Sequence, residues 1–254
     1  MLAAHRPYPK PATPWVMRQS WHDLLFLHWP VPAAVLRPLI PPGLEVDTFD
    51  GSAWIAVVPF RMSDVASRLV PAIPGLSAFP ELNVRTYVVR DGKPGVWFFS
   101  LDAGNRLAVS IARAWFRLPY YHAAMGLSET AGAIAYTSQR KHPGAGPAEL
   151  RLRYAPTGPV FNAQSGSLEW FLTARYCLYT QGLPTNARTY IPNAPLQRAE
   201  IEHPAWPLQV AEAVIETNTM TTPVGITLPD AQPLAHFVRR IDVVVWNPAR
   251  VSTR

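Results

Sequence analysis

Polar and apolar positions alternate along several short stretches of the chain, and a period of two is typical of β-strands. The clearest case is ELNVRTYVV at 81–89, where Glu81, Asn83 and Arg85 fall on one face and mostly apolar residues fall on the other. An apolar run, WHDLLFLHW at 21–29, predicts a buried strand. The pattern therefore predicts a sheet in which one strand carries an unusually polar face.

Two stretches depart from this strand pattern. PAAVLRPL at 32–39 predicts a short helix with proline in its first turn. A second helix is predicted between Asn105, which can act as N-cap, and Pro119, which cannot continue a helix. Its apolar positions at helical spacing are Leu107, Ile111, Trp115 and Leu118. The pair Asp50-Gly51 predicts a hairpin turn, because glycine accepts the positive φ that such turns need.

The second half of the chain is rich in strand patterns separated by glycine and proline clusters. The stretches are AIAYTSQR, AELRLRYAP, LEWFLTARYCLYT, LQRAEIEHPAWPLQVAEAVIE and RRIDVVVW. The predicted fold class is α+β, mainly β: one domain over 15–254, with a large curved or closed antiparallel sheet and a few short helices. Residues 1–14 predict a flexible, proline-rich arm.

Composition narrows the function classes. A single cysteine, Cys177, excludes an internal disulfide and a cysteine-based zinc cluster, and predicts a small buried apolar residue rather than a nucleophile. The sequence contains no H-E-x-x-H pair, P-loop or dinucleotide-binding fingerprint. We therefore expect neither a metal nor a cofactor.

Hydropathy and charge bear on location and partners. No apolar run approaches the roughly 18 residues of a membrane helix, and the N-terminus lacks a signal-peptide core, so we expect a soluble, cytoplasmic protein without a membrane partner. The net charge of +6 raises nucleic acid as a partner. Because the arginines are scattered and no predicted helix carries a basic stripe, we expect none.

The polar face of 81–89 admits two interpretations. It faces water, as one face of an antiparallel strand often does, or it lines the interior of a barrel that holds a ligand. Glu81 and Arg85 lie roughly 13 Å apart along a strand, too far to pair but near enough to share a ligand. Arg61, in VPFRM, is a further candidate for a polar contact.

The segment RLPYYHAAM places Tyr120 and His122 on one face if it is extended. Histidine exchanges protons near neutral pH, and a tyrosine hydroxyl can donate a hydrogen bond to a developing oxyanion. The two residues are thus candidate catalytic groups. The competing interpretation is a satisfied core histidine packed beside aromatic rings.

Lysine usage argues against one class of chemistry. The chain has only three lysines: Lys10 in the arm, Lys93 in a DGKPG turn and Lys141 in a loop. A Schiff-base lysine needs a pKa depressed by desolvation or by a neighbouring cation. None of these settings predicts desolvation, so an enzyme of this sequence would not be a Schiff-base decarboxylase.

Seven blocks across 21–246 carry a family resemblance. They are LHWPVPAAVLRPLIPPGLEVDTFDG, VPFRM, FPELNVRTYVV, RLPYYHAAM, FLTARYCLYT, HPAWPLQVAEA and HFVRRIDVVVW. Together they resemble the YqjF-like domain-of-unknown-function family, which is remotely similar to acetoacetate decarboxylase. The resemblance implies a closed, cone-like β-barrel with a central cavity. The decarboxylases carry two adjacent lysines after a proline, and LPYY places Tyr120 and Tyr121 there.

One further deviation concerns FLTARY, where the resemblance implies a glutamate at the position of Ala174. A missing carboxylate there would either alter a pocket or leave Arg175 without a partner. The hypotheses are a cavity that binds a small anionic or carbonyl-bearing metabolite, as carrier or sensor, and a lysine-free enzyme using His122 and Tyr120. The polar contacts would come from Arg61, Glu81, Asn83, Arg85, Tyr120, His122 and Arg175. The sequence leaves the ligand and a homo-oligomeric state open.

Overall fold

The computed structural model describes residues 5–73, 75, 77–182, 191 and 193–251, and it is mainly β. The strands are β1 Met17–Val31, β2 Glu45–Val46, β3 Ala53–Ser67, β4 Phe79–Arg90, β5 Lys93–Ala103, β6 Tyr120–Thr130, β7 Ala133–Arg140, β8 Glu149–Pro156, β9 Cys177–Thr180, β10 Gln197–Glu202, β11 Gln209–Asn218, β12 Leu234–Val245 and β13 Ala249–Arg250. The α-helices are α1 Ala33–Leu36, α2 Arg106–Phe116 and α3 Leu168–Thr173. Two short 3₁₀ turns lie at Arg37–Leu39 and Thr222–Val224.

The strands join in one sheet that closes on itself. Pairing runs β4–β5–β9–β10–β12–β1–β3 and returns to β4, which makes a ring of strands. Strands β6, β7, β8 and β11 form a second arc that also connects β5 to β12. The closed sheet predicted from the sequence is therefore present.

Most pairings are antiparallel, but β5 pairs in parallel with both β6 and β9. A parallel neighbour needs a crossover connection, and helix α2 supplies it between β5 and β6. The Asn105 side chain accepts hydrogen bonds from the backbone N–H groups of Leu107 and Ala108, as its predicted N-cap role requires. The helix ends at Phe116, before Pro119.

Turns and close approaches follow from particular residues. Asp50 and Gly51 both have positive φ, at 48° and 79°, and Phe49 pairs with Ser52 across them, which confirms the predicted hairpin turn in the segment that leads from β2 to β3. Gly95 lies where β5 meets β9, and a Cβ there would stand 2.7 Å from the Cys177 sulfur and 2.9 Å from the Cys177 carbonyl oxygen. The ring can close at this seam because residue 95 has no side chain.

Two local predictions differ from the structure. LEWFLTARYCLYT was predicted as one strand, but its first part forms α3, capped by the Ser167 side chain, and only Cys177–Thr180 is strand. A short apolar run does not distinguish a buried strand from a buried helix. The long stretch 196–216 divides into β10 and β11.

The predicted arm is anchored at Arg6. Residues 1–4 of the arm lie outside the described residues. The buried Arg6 guanidinium pairs with Glu200 at 2.9 Å and with Glu202 at 2.7 Å. It also lies 4.8 Å from the ring centroids of Tyr8 and Tyr176. The arm is therefore attached to β10 at this point. Among the described helices, none has the length and apolar character needed to cross a membrane.

Candidate functional site

A cavity of about 360 Å³ lies inside the strand ring. Its walls come from β1, β3, β4, β5, β9, β10 and β12, with α2 and residues 65–73 at one end. Most lining side chains are apolar, for example Leu24, Phe60 and Trp206. The polar ones are Gln19, Ser67, Glu81, Asn83, Arg85, Tyr120, Thr173 and Arg175. A mostly apolar pocket with a few convergent polar groups is the usual form of a small-molecule site.

Strand β4 supplies three of these polar groups because both of its faces are buried. Leu82, Val84 and Val88 pack into one hydrophobic core cluster, so the alternate residues point into the ring. Glu81, Asn83 and Arg85 all line the cavity there. Of the two interpretations of the polar face of 81–89, the structure has cavity lining rather than exposure to water.

Glu81 and Tyr120 form a hydrogen-bonded pair. The Tyr120 hydroxyl donates to the Glu81 Oε2 at 2.9 Å. Burial raises the pKa of Glu81 to about 8, and the hydrogen bond from Tyr120 opposes that rise. Burial, with the adjacent Glu81, holds the pKa of Tyr120 well above its usual range. At neutral pH the pair is therefore a carboxylic acid beside a phenol, and both are able to donate protons.

Arg85 is one of two arginines that line the cavity, and it differs from the other in having no acidic partner among the described residues. It is 8% exposed, and no carboxylate among the described residues lies within salt-bridge distance of it. The guanidinium lies 5.2 Å from the Phe26 ring centroid and 5.8 Å from that of Tyr87. Its Nε and the nearby Asn83 Oδ1 are both buried without a hydrogen-bond partner in the described part of the chain. Unpaired buried charge is costly, so this arrangement suits a bound anion.

Arg175 also lines the cavity, but its guanidinium already has partners within the protein. Its Nη1 pairs with the Asp47 Oδ2 at 2.5 Å, and its Nε donates to the Phe171 carbonyl at 2.6 Å. The sequence raised the absence of a carboxylate at Ala174 as a cause of an unpaired Arg175. Asp47 provides that carboxylate instead.

Two predicted contact residues do not reach the cavity. Arg61 lies on the outer side of β3, where its Nε pairs with the Asp23 Oδ2 at 2.8 Å and its side chain is 43% exposed. His122 pairs with Ala103, the last residue of β5, and β6 then continues along β7. Burial and then Arg106 lower the pKa of His122. Tyr120 lines the cavity and His122 does not.

The neighbouring aromatic residue points elsewhere. Tyr121 lies against the Arg140 guanidinium, 4.3 Å from its ring centroid, and makes an edge contact with His142. Of the two residues at the predicted lysine positions, only Tyr120 faces the interior.

None of the three lysines lines the cavity. Lys93 is nearest to the ring seam, and its Nζ pairs with the Glu200 Oε1 at 2.8 Å. Imine formation needs an amine that reaches the bound carbonyl compound, and none of the three lysines supplies one in this cavity. Within the described residues, no cluster of three or more histidine, cysteine, aspartate or glutamate side chains has metal-binding geometry.

Sequence reasoning missed the contribution of α2. Leu107, Ile111 and Trp115 were predicted as the apolar side of a helix, and the structure adds that they line the cavity while remaining 49%, 47% and 40% exposed. The signal was present in the helical spacing. That spacing did not predict that the helix would lie at the open end of the ring.

Comparison with solved structures identifies the fold. An acetoacetate decarboxylase from Legionella pneumophila is 13% identical, with a TM-score of 0.65 over 97% of this chain and 92% of that chain. An acetoacetate decarboxylase-like enzyme from Sphingomonas wittichii RW1 is 17% identical, with a TM-score of 0.61 over 99% and 100% of the two chains. The enduracididine biosynthesis enzyme MppR, complexed with pyruvate, is 14% identical with a TM-score of 0.63 over 94% and 91%. At these identities the likeness confirms the fold.

Sequence comparison identifies the family. The uncharacterized protein YqjF of Bacillus subtilis (strain 168) is 47% identical over 232 residues, 91% of each chain. The model of DUF2071, an uncharacterized conserved protein, matches residues 18–242. Both findings confirm the resemblance drawn from the sequence blocks. The chain belongs to the DUF2071 (YqjF-like) family and has an acetoacetate decarboxylase-like fold.

Proposed function

We propose that the cavity binds a small organic anion, with Arg85 as the cation that pairs with it. The observation that carries this proposal is a buried guanidinium, lining a ligand-sized cavity, with no acidic partner among the described side chains. Arginine presents donors that match a carboxylate in a bidentate manner, and such pairs are strong when water is excluded. A carboxylate ligand would supply the missing negative charge.

The Glu81–Tyr120 pair gives the ligand a second contact. Four residues of strand, roughly 13 Å, separate Glu81 from Arg85, so the two groups contact different parts of one ligand. With its pKa at about 8, the Glu81 carboxyl is neutral at pH 7 and does not repel an anion. It can donate a hydrogen bond to a carbonyl or hydroxyl oxygen of the ligand. MppR is complexed with pyruvate in its structure, and pyruvate is therefore a suitable first probe.

The test is a thermal-shift measurement with pyruvate, acetoacetate, butanoate and the neutral analogue butanamide. A ligand at 100 times its Kd adds about 2.7 kcal/mol to the free energy of unfolding, which is a readily measured shift. We expect the carboxylates to raise Tm, butanamide to have no effect, and Arg85→Met to abolish the response. Arg61→Met is the matched control, because Arg61 lies outside the cavity and its loss leaves the response intact. Equal responses in wild type and Arg85→Met would contradict the proposal.

A second candidate is acid–base catalysis on a bound carbonyl compound. The observation that favours it is the raised pKa of Glu81 beside a phenol, since a catalytic acid or base works best with a pKa near the operating pH. In this proposal Glu81 takes the place that the sequence assigned to His122. The base is the ionised form of Glu81, whose share rises as pH approaches its pKa of about 8. It removes a proton from the carbon next to the carbonyl, and the Tyr120 hydroxyl donates to the resulting enolate oxygen.

Exchange of the pyruvate methyl protons for deuterium in D₂O, monitored by NMR, distinguishes catalysis from ligand binding without catalysis. Catalysis predicts exchange that wild type accelerates and Glu81→Gln does not, while pyruvate still raises Tm of the variant. Binding without accelerated exchange would contradict this second candidate and leave the carrier proposal in place.

A further inference from the structure

The open end of the cavity is bordered by apolar side chains that remain in contact with water. Leu107, Ile111 and Trp115 on α2 and Val70 on the facing loop all line the cavity and are 40–50% exposed. The Trp115 indole N–H donates to the Asn247 Oδ1 at 3.0 Å, which holds that ring in place. A side chain that both lines a cavity and contacts solvent lies at its opening. These four residues are hereafter called the apolar mouth.

The polar groups lie in a definite order behind this mouth. Strand β4 follows the loop that contains Val70, and it passes Phe79, then Glu81, then Asn83, then Arg85. Six residues of strand correspond to roughly 20 Å from Phe79 to Arg85. Arg85 is therefore the deep group and lies beside the buried Phe26. Between it and the mouth the walls are mostly apolar, as at Leu101, which pairs with Asn83, and Phe60, which pairs with Glu81.

We infer that the ligand is an amphipathic monocarboxylate, whose carboxylate binds at Arg85 and whose hydrocarbon tail runs outward to the apolar mouth. This deepens the proposed function and rests on it. A short keto acid held at Arg85 would leave the outer part of the cavity and the exposed faces of Leu107, Ile111 and Trp115 uncovered. A longer tail would cover them, and each buried methylene would add to the affinity. The tail contacts make Ile111 and Trp115 specificity-determining residues.

Calorimetric titration with butanoate, hexanoate, octanoate and decanoate tests the inference. Burial of a methylene predicts an affinity that rises about fourfold for each added CH₂ until the tail passes the mouth. In Ile111→Asn we expect octanoate and decanoate to bind at least fivefold more weakly, with the butanoate affinity unchanged. Val214→Asn is the matched control, because Val214 is an exposed apolar residue on β11 that does not line the cavity. It should leave the whole series unchanged.

The outcomes separate this inference from the proposed function. If butanoate binding depends on Arg85 but affinity does not rise with chain length, the amphipathic ligand is contradicted and the anion site stands. A butanoate affinity that falls in Ile111→Asn as much as the decanoate affinity also contradicts the tail position. If octan-1-ol binds as tightly as octanoate and Arg85→Met changes neither, the anion site itself is contradicted, and this inference with it.

Discussion

The Tyr120 hydroxyl donates a 2.9 Å hydrogen bond to the Oε2 of Glu81 inside the strand ring. Tyr120 stands where the resemblance to acetoacetate decarboxylase places a lysine, and Glu81 is buried without an ion-pair partner among the described residues. Burial therefore raises the pKa of the Glu81 carboxyl to about 8. The chain thus offers an acid and a phenol in a cavity where an amine would be needed for imine chemistry.

The pH dependence of stability should report Glu81 directly. Its folded-state pKa of about 8 lies above its ordinary value of 4.5, so the folded state holds a proton that the unfolded state releases. The contribution is fully present below pH 4.5, and it is lost as pH rises to about 8. Wild type should lose roughly 1.4 kcal/mol per pH unit within this window relative to Glu81→Gln. Denaturant unfolding at pH 5 to 9 measures it, and parallel curves for the two proteins would contradict the raised pKa.

Two buried arginines should respond in opposite ways to the same substitution. Arg85 has no carboxylate within salt-bridge distance in the described chain, so Arg85→Met removes an uncompensated charge and should stabilise the ligand-free protein by about 1–3 kcal/mol. The Arg140 guanidinium donates three hydrogen bonds to the buried Asp102, at 2.6, 2.9 and 3.2 Å. Arg140→Met leaves that carboxylate alone and should cost about 3–5 kcal/mol.

Urea unfolding of both variants measures the difference. A loss of stability in Arg85→Met comparable to that in Arg140→Met would mean that Arg85 already has a partner in the ligand-free protein, which would remove the basis for the anion site.

Borohydride trapping should give no adduct with the wild-type protein. With pyruvate or acetoacetate present, mass spectrometry should find the unmodified mass, because no lysine lines the cavity and Lys93 is ion-paired. Tyr120→Lys is the positive control, since it introduces an amine into the same space and should yield a reduced adduct. A trapped lysine in wild type would refute the lysine-free account.

Closure of the ring should depend on Gly95. In Gly95→Ala the new methyl would meet the Cys177 sulfur at 2.7 Å and the Cys177 carbonyl oxygen at 2.9 Å, so β5 and β9 must separate. We expect a loss of about 1–3 kcal/mol in thermal or urea unfolding. Gly158→Ala is the control, because its Cβ would lie 3.6 Å from Val210, an ordinary contact. Equal stability of the two variants would show that the seam tolerates a side chain.

The alternation in β4 was sufficient to place Glu81, Asn83 and Arg85 on one face, and the family resemblance implied a closed sheet around a cavity. Alternation alone did not say which face was interior, because both faces of β4 are buried. Which face of β4 is interior depends on how β3 and β5 pair with β4 around the ring.

His122 and α3 show why other features of the structure could not be predicted from the sequence. The two-residue spacing of Tyr120 and His122 predicts a shared face, but His122 pairs with the last residue of β5 and does not line the cavity. From Ala123 onward β6 pairs with β7 instead, and no local pattern in the sequence records this non-local pairing. At 168–173 the apolar run was compatible with strand or helix, and the cap from Ser167 decided for helix.

The most direct test of the anion site is a thermodynamic cycle between Arg85 and the ligand charge. Calorimetry gives four affinities: butanoate and butanamide, each with wild type and with Arg85→Met. The account predicts a coupling free energy of at least about 1.5 kcal/mol, as expected for a close buried charge pair. A coupling free energy near zero, with butanoate and butanamide losing affinity equally in the variant, would contradict it.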